Sequence, residues 1–352
     1  MYWQSAFTTK DGTLIEWGTG DHQLTSDNGV REFDPATGVQ SYVYPNNSGT
    51  RDQQQYDNLH YFYIPRIDSL VIPSRGQYHR ASRSWLIGNL QTNGRSVVGT
   101  GANDLFNPIV SFWVDGYKSS YNAHQAWSAS QDCGVCISGG LGGDSAARQK
   151  MWIIAPSTAF GSMAQPYVIY ERTMPATAGG AAAHKQNGRD GCCFAGEYVY
   201  WVGGQESNSS TMTSHFFRMR ITPHLTSTNA TLAIERLPDA PAAFSMGLLR
   251  YDPYSNALLC ITSQGVFLFD IAAWSWANVT PQGYLNDYAA APTNGLLPRG
   301  CMGDFVDQRA GQAMRKIVWR PGMNHSWEYD YGGASQERMY KRFRAIRLAR
   351  RS

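Results

Sequence analysis

Residues 245–281 read SMGLLRYDPYSNALLCITSQGVFLFDIAAWSWANVTP, and the punctuation of that stretch decides the fold. Four short runs follow one another: SMGLLRYDP (245–253), ALLCITSQ (257–264), GVFLFDIAA (265–273) and SWANVTP (275–281). Each is rich in the aliphatic and aromatic residues that suit a pleated, half-buried surface. The break Asp252-Pro253-Tyr254-Ser255-Asn256 is built of turn formers. Proline presets φ there, and Asp, Ser and Asn side chains bond their own backbone. No helical segment intervenes.

The same order recurs along the chain. HYFYIP, SLVIPS, GQYHRAS and SWLIGN run up to Asn89; RDGCCFAG, EYVYWVGGQ, SHFFRMRI and TLAIERLPDAP run up to Pro241. From Arg299 come RGCMGDFVD, RKIVWRP, HSWEYDYGG and KRFRAIRLA. A fifth set fits 108–175 as PIVSFWVD, CGVCISGG, KMWIIAPS and PYVIYERT, and the N-terminus gives MYWQSAF, GTLIEWG, GVREFDP and VQSYVYP. One small sheet cannot bury both faces, but several packed face to face around an axis can, leaving only short edges. Units of roughly 40–60 residues, each of four strands, are the sequence signature of a β-propeller. The expectation is therefore an all-β chain, 1–352 forming a single domain, a six-bladed propeller of four-stranded antiparallel blades. Seven blades is the alternative, because 91–130 could form a blade of its own. A sandwich or β-helix suits the four-strand grouping less well.

Within these units the residues resemble kelch-type propellers. That family pairs an apolar second strand with a following diglycine, and an aromatic with a Trp seven positions later. EYVYWVGGQ sets Gly203-Gly204 after such a strand, and Cys136 to Asp144 has a similar form. Tyr78 precedes Trp85 by seven and Phe269 precedes Trp276 by seven. Phe33 has Gln40 at that offset, and the unit near 320–348 lacks both features. The resemblance implies tight glycine bends and aromatic packing between sheets, and it concerns fold rather than function.

Composition narrows the function by exclusion. Of 352 residues 16% are charged and 13% aromatic, with 11 Trp and 20 Tyr. A disordered chain would be poor in aromatics, and a coiled coil dense in Ala, Glu and Lys. No run of 18 apolar residues is present, so no transmembrane helix is expected. The opening MYWQSAFTTKDG lacks the basic and apolar regions of a secretory signal. Arg outnumbers Lys 24 to 6. Net charge is +3, yet Arg338, Lys341, Arg342, Arg344, Arg347, Arg350 and Arg351 lie in 338–352 without an acid among them, which leaves −4 on the remainder. That basic C-terminal segment is either a closing blade strand or a docking tail. Its Tyr340, Phe343 and Ile346, three apart, also fit a helix.

The chemistry-bearing motifs give little. Six cysteines include one CxxC, Cys133-Gly-Val-Cys136, and a vicinal pair, Cys192-Cys193, without the second CxxC of a zinc ribbon. They read as buried structural thiols, with a disulfide or a metal site as alternatives. The eight His show no HxH, HxxxH or HExxH pair. Thr25 to Gly29 begins like a sialidase Asp-box but occurs once, and Gly139 to Gly143 reads as a blade turn rather than a phosphate loop. No catalytic, cofactor-binding or metal residue is expected.

Two functions from different classes follow. The first is a non-enzymatic structural or docking propeller in a larger assembly, a phage virion protein of tail or capsid surface. A surface low in charge and rich in Asn, Gln, Ser, Thr and aromatics suits permanent wet interfaces. Its partners would be other protein subunits, in multiple copies, reached through the seven basic residues of 338–352. Nucleic acid is disfavoured because the rest of the chain is net acidic, and no membrane is implied. The alternative is a glycan-binding or glycan-acting propeller using long loops at 103–130 and 282–298, with Trp127 and Tyr284 as stacking candidates.

Overall fold

In a computed structural model the described residues are all β apart from two short 3-10 helices, Pro65–Ile67 and Thr222–Leu225. The structure describes residues 7–17, 30–34, 39–44, 62–72, 76–81, 84–87, 124–137, 150–156, 167–175, 177–179, 181, 191–205, 211–244, 247–253, 255–282, 302–306, 315–322, 325–330 and 343–347. Among them no helix is long and apolar enough to cross a membrane.

Six four-stranded sheets are seen among the described residues. Each is an antiparallel meander in chain order, the blade unit of a propeller. The first joins β1 (Phe7–Thr8), β2 (Leu14–Trp17), β3 (Val30–Asp34) and β4 (Val39–Tyr44); the second joins β5 (Phe62–Ile64), β6 (Ser69–Ile72), β7 (Gly76–His79) and β8 (Ser84–Ile87). The third comprises β9 (His124–Ser128), β10 (Cys133–Ile137), β11 (Lys150–Pro156) and β12 (Tyr167–Thr173); the fourth comprises β13 (Cys192–Ala195), β14 (Tyr198–Val202), β15 (Phe216–Arg220) and β16 (Ile234–Leu237). The fifth holds β17 (Leu248–Asp252), β18 (Ala257–Thr262), β19 (Gly265–Asp270) and β20 (Ser275–Asn278), and the sixth β21 (Met302–Val306), β22 (Arg315–Gly322), β23 (His325–Asp330) and β24 (Phe343–Arg347).

One expectation is corrected. The first strand of the third sheet is β9 at 124–128, not PIVSFWVD at 108–115, and β9 pairs along its whole length with β10. A separate blade over 91–130 therefore loses its last strand to the third sheet. The remainder of that stretch, 91–123, lies outside the described residues.

The chain divides into two compact units, Leu59–Tyr251 and Met1–Asn58 with Asp252–Ser352. Within the first, β5 lies beside β9, and β9 beside β13, so the leading strands of successive sheets are neighbours. Within the second, β1 lies beside β21, the leading strands of the N-terminal and the last sheet.

The core of the first unit lies between the third and fourth sheets. Val135, Ile137, Met151 and Ile153 from one meet Val199, Trp201, Phe217 and Met219 from the other, all at most 1% exposed. Trp201 and Phe217 are register partners, stacked with ring centroids 5.6 Å apart. The seven-residue aromatic spacing has the same origin. A hairpin joins the third and fourth strands of a sheet, so residues seven apart face each other: Tyr78 opposite Trp85, Phe269 opposite Trp276, and Phe33 opposite Gln40. The Phe269 and Trp276 rings lie 5.0 Å apart. Gly203 and Gly204 take φ of 72° and 92°, where a β-carbon is strained. A β-carbon on Gly203 would also stand 2.5 Å from the Phe244 ring. The diglycine is therefore a packing device.

Candidate functional site

Of the seven basic docking candidates, Arg344 and Arg347 lie in β24, an edge strand of the last sheet. Arg338, Lys341, Arg342, Arg350 and Arg351 lie outside the described residues. The 343–347 stretch is a strand, not a helix: the three-residue spacing of Tyr340, Phe343 and Ile346 did not decide against pairing with β23. Register sets Arg344 opposite Glu328 and Arg347 opposite His325. Edge strands bearing cations resist uncontrolled pairing with other edges.

The cysteine pattern resolves into strand geometry. Side chains alternate across a strand, so Cys133 and Cys136, three apart, have opposite parity. Cys133 belongs with Val135 and Ile137 in the core shared by the third and fourth sheets, and Cys136 does not. Cys192 joins that core while its neighbour Cys193 does not. The CxxC therefore cannot close on one ion in this conformation. Its first spacer, Gly134, has its own reason: it is the register partner of Trp127, and a β-carbon there would stand 2.6 Å from the indole. Burial and the neighbouring Asp132 charge push the Cys133 thiol up to about 12, and burial raises Cys136 as well. Cys133, Cys136, Cys192, Cys193 and Cys260 are all buried. Cys301 lies outside the described residues.

Two polar constellations that sequence spacing did not reveal join neighbouring sheets. In the first, Arg66 from the 3-10 helix after β5 donates through Nε to Tyr167 Oη at 3.0 Å and pairs with Asp132 at 2.8 Å. Its guanidinium lies 4.6 Å from the Tyr167 ring centroid, and Tyr167 in turn donates to Asp132. Trp127 meets Tyr167 edge-on at 5.5 Å. Burial, with the Asp132 bond added, raises the phenol pKa, so Tyr167 stays protonated. The three groups, 35 to 101 residues apart in sequence, neutralise one another where the second and third sheets meet. The second constellation centres on His224. Tyr170 of β12 donates to the His224 carbonyl, and Arg172 donates to the Thr228 carbonyl. Burial, then the Arg172 charge, push the imidazole down to about 4. The only signal in the sequence was the polar-aromatic alternation of YVIYERT, which fixes which β12 residues share a face.

Trp127, a stacking candidate for sugar rings, is a β9 residue packed on Gly134 and Tyr167. Tyr284, the Asp-box-like stretch 25–29 and the glycine run 139–143 lie outside the described residues. Among the described residues no group of three or more His, Cys, Asp or Glu is placed to hold a metal ion. No protein-family model matches the chain, and no curated protein matches it.

Proposed function

We propose that residues 1–352 form one six-bladed, kelch-like propeller that serves as a non-enzymatic docking subunit of a larger assembly, a phage virion protein of tail or capsid surface. The observation that carries the propeller is the adjacency of leading strands, β5 to β9 to β13 and β21 to β1. Strands that meet in this way are what a ring of blades about an axis requires.

The docking role draws support from where the polar chemistry goes. Cys133, Cys136, Tyr167 and Tyr170 are held in their protonated, unreactive forms, and His224 is held neutral. A nucleophilic thiol needs the opposite tuning, and an imidazole pushed down to about 4 is a weak base at neutral pH. Partners are other subunits of the assembly, in several copies. Arg338, Arg342, Arg344, Arg347, Arg350 and Arg351 pair with their carboxylates through planar, bidentate guanidinium groups, and Lys341 adds a point charge. Neutralising Arg344, Arg347, Arg350 and Arg351 together to Gln tests this. Assembly that weakens and loses its salt sensitivity supports docking. Assembly like the wild type at every salt concentration leaves only the strand.

A further inference from the structure

We propose that the segment Ile221 to Thr228 is an acid-released latch between the third and fourth sheets. It leaves β15 of the fourth sheet, turns through the 3-10 helix Thr222–Leu225 and packs against β11 of the third. Two hydrogen bonds fasten it to β12: Tyr170 Oη–H to the His224 carbonyl and the Arg172 guanidinium to the Thr228 carbonyl. At its start Thr222 donates to Glu197, which is also paired with Arg220 at 2.7 Å. Between these fastenings the His224 side chain is 1% exposed, and its Nδ1 has no hydrogen-bond partner.

A neutral imidazole tolerates that position; an imidazolium does not. Protonation would put a charge into a buried site with no carboxylate bonded to the ring. The charged groups around it are unhelpful. Arg172 on β12 repels a second cation, and Tyr170 beside it is a neutral donor whose pKa is pushed up to about 12. Lys150, the titratable residue of β11, is already paired with Glu171. Glu197 is engaged by Arg220 and Thr222 at the other end of the segment. The relief open to the chain is for the segment to lift off β12, taking His224 into water.

The sign follows from linkage. The unfastened imidazole titrates near its ordinary 6.5, the fastened one near 4. The open form binds more protons between these values, so closure is complete above pH 6.5 and weakens as pH falls towards 4. Between pH 8 and pH 5 the opening equilibrium constant rises about 30-fold. Other ties between the same two sheets carry no such proton dependence: Gln131 Nε2 to the Gly196 carbonyl at 2.9 Å, and Arg236 to the Gly179 carbonyl at 3.1 Å.

The test is hydrogen exchange of the full-length protein at pH 5, 6, 7 and 8, corrected for intrinsic rates. The His224 amide, which donates to the Ile221 carbonyl at 2.8 Å, reports the latch. In the wild type its opening constant rises about 30-fold from pH 8 to pH 5, and in His224→Gln it stays flat within about threefold. A flat wild type, or an equal rise in both, overturns the proposal. Should His224→Gln fail to fold, an NMR titration of the wild-type imidazole decides: a pKa below 5 supports the latch, and one near 6.5 refutes it.

Discussion

Gly203→Ala isolates the device that bends the chain after β14. The glycine sits at φ 72°, and the added β-carbon would lie 2.5 Å from Phe244 Cε2 and 2.9 Å from Cδ2 and Cζ. The ring has little room to retreat. Phe244 is fully buried, its amide bonds the Thr213 carbonyl at 3.1 Å, and its carbonyl accepts from Gly204 at 2.9 Å. Gly247 crowds the same edge: a β-carbon there would stand 2.3 Å from Cε2. Left-handed backbone costs alanine about 1 kcal/mol, and forcing a methyl into a packed core costs about 1–3 kcal/mol more. The expected destabilisation is about 3 kcal/mol. Gly196→Ala is the internal control, since Gly196 has φ 59° but nothing within 4 Å of the added atom. It should lose only the strain, about 1 kcal/mol. Urea unfolding followed by Trp fluorescence gives both values, provided the slopes agree. Combining Gly203→Ala with Phe244→Leu should cost less than the sum of the two, because the smaller side chain admits the methyl. Equal losses for Gly203→Ala and Gly196→Ala would refute the packing argument.

Two further outcomes follow from the core. Phe269→Ala should destabilise by about 3–4 kcal/mol, because it removes a 1%-exposed ring packed on Trp276; a loss under about 1 kcal/mol in the same urea titration would contradict the cross-strand pairing. Cys133, Cys136, Cys192, Cys193 and Cys260 should resist an aromatic disulfide reagent at pH 8 until denaturant is added, because all five are buried away from the reagent. Rapid native labelling at any of these five, located by peptide mapping, would overturn that.

Sheets were legible in the sequence wherever the short apolar runs lay close together. The strands of 245–281 and those of the fourth sheet fall where the turn residues set them. The third sheet was misread at its start because PIVSFWVD at 108–115 is more apolar than HQAWS of β9, and only pairing with Cys133–Ile137 reveals the strand. The seven-residue aromatic spacing was visible, but its cause is the cross-strand register. The CxxC was visible in the sequence, but that its odd spacing separates the two thiols needed the strand assignment of β10. The Arg66–Asp132–Tyr167 tie and the His224 segment were not legible. Each depends on which sheets become neighbours, and no local pattern encodes that. The basic tail was visible from charge alone, whereas the Glu328 opposite Arg344 needed the register of β23 with β24.

The docking account stands or falls on copy number. Sedimentation velocity on the full chain, over a range of concentrations and from low to high salt, measures it directly. A multi-copy species at low salt that dissociates as salt rises is the predicted result. A 39.1 kDa monomer at every concentration and every salt would contradict it.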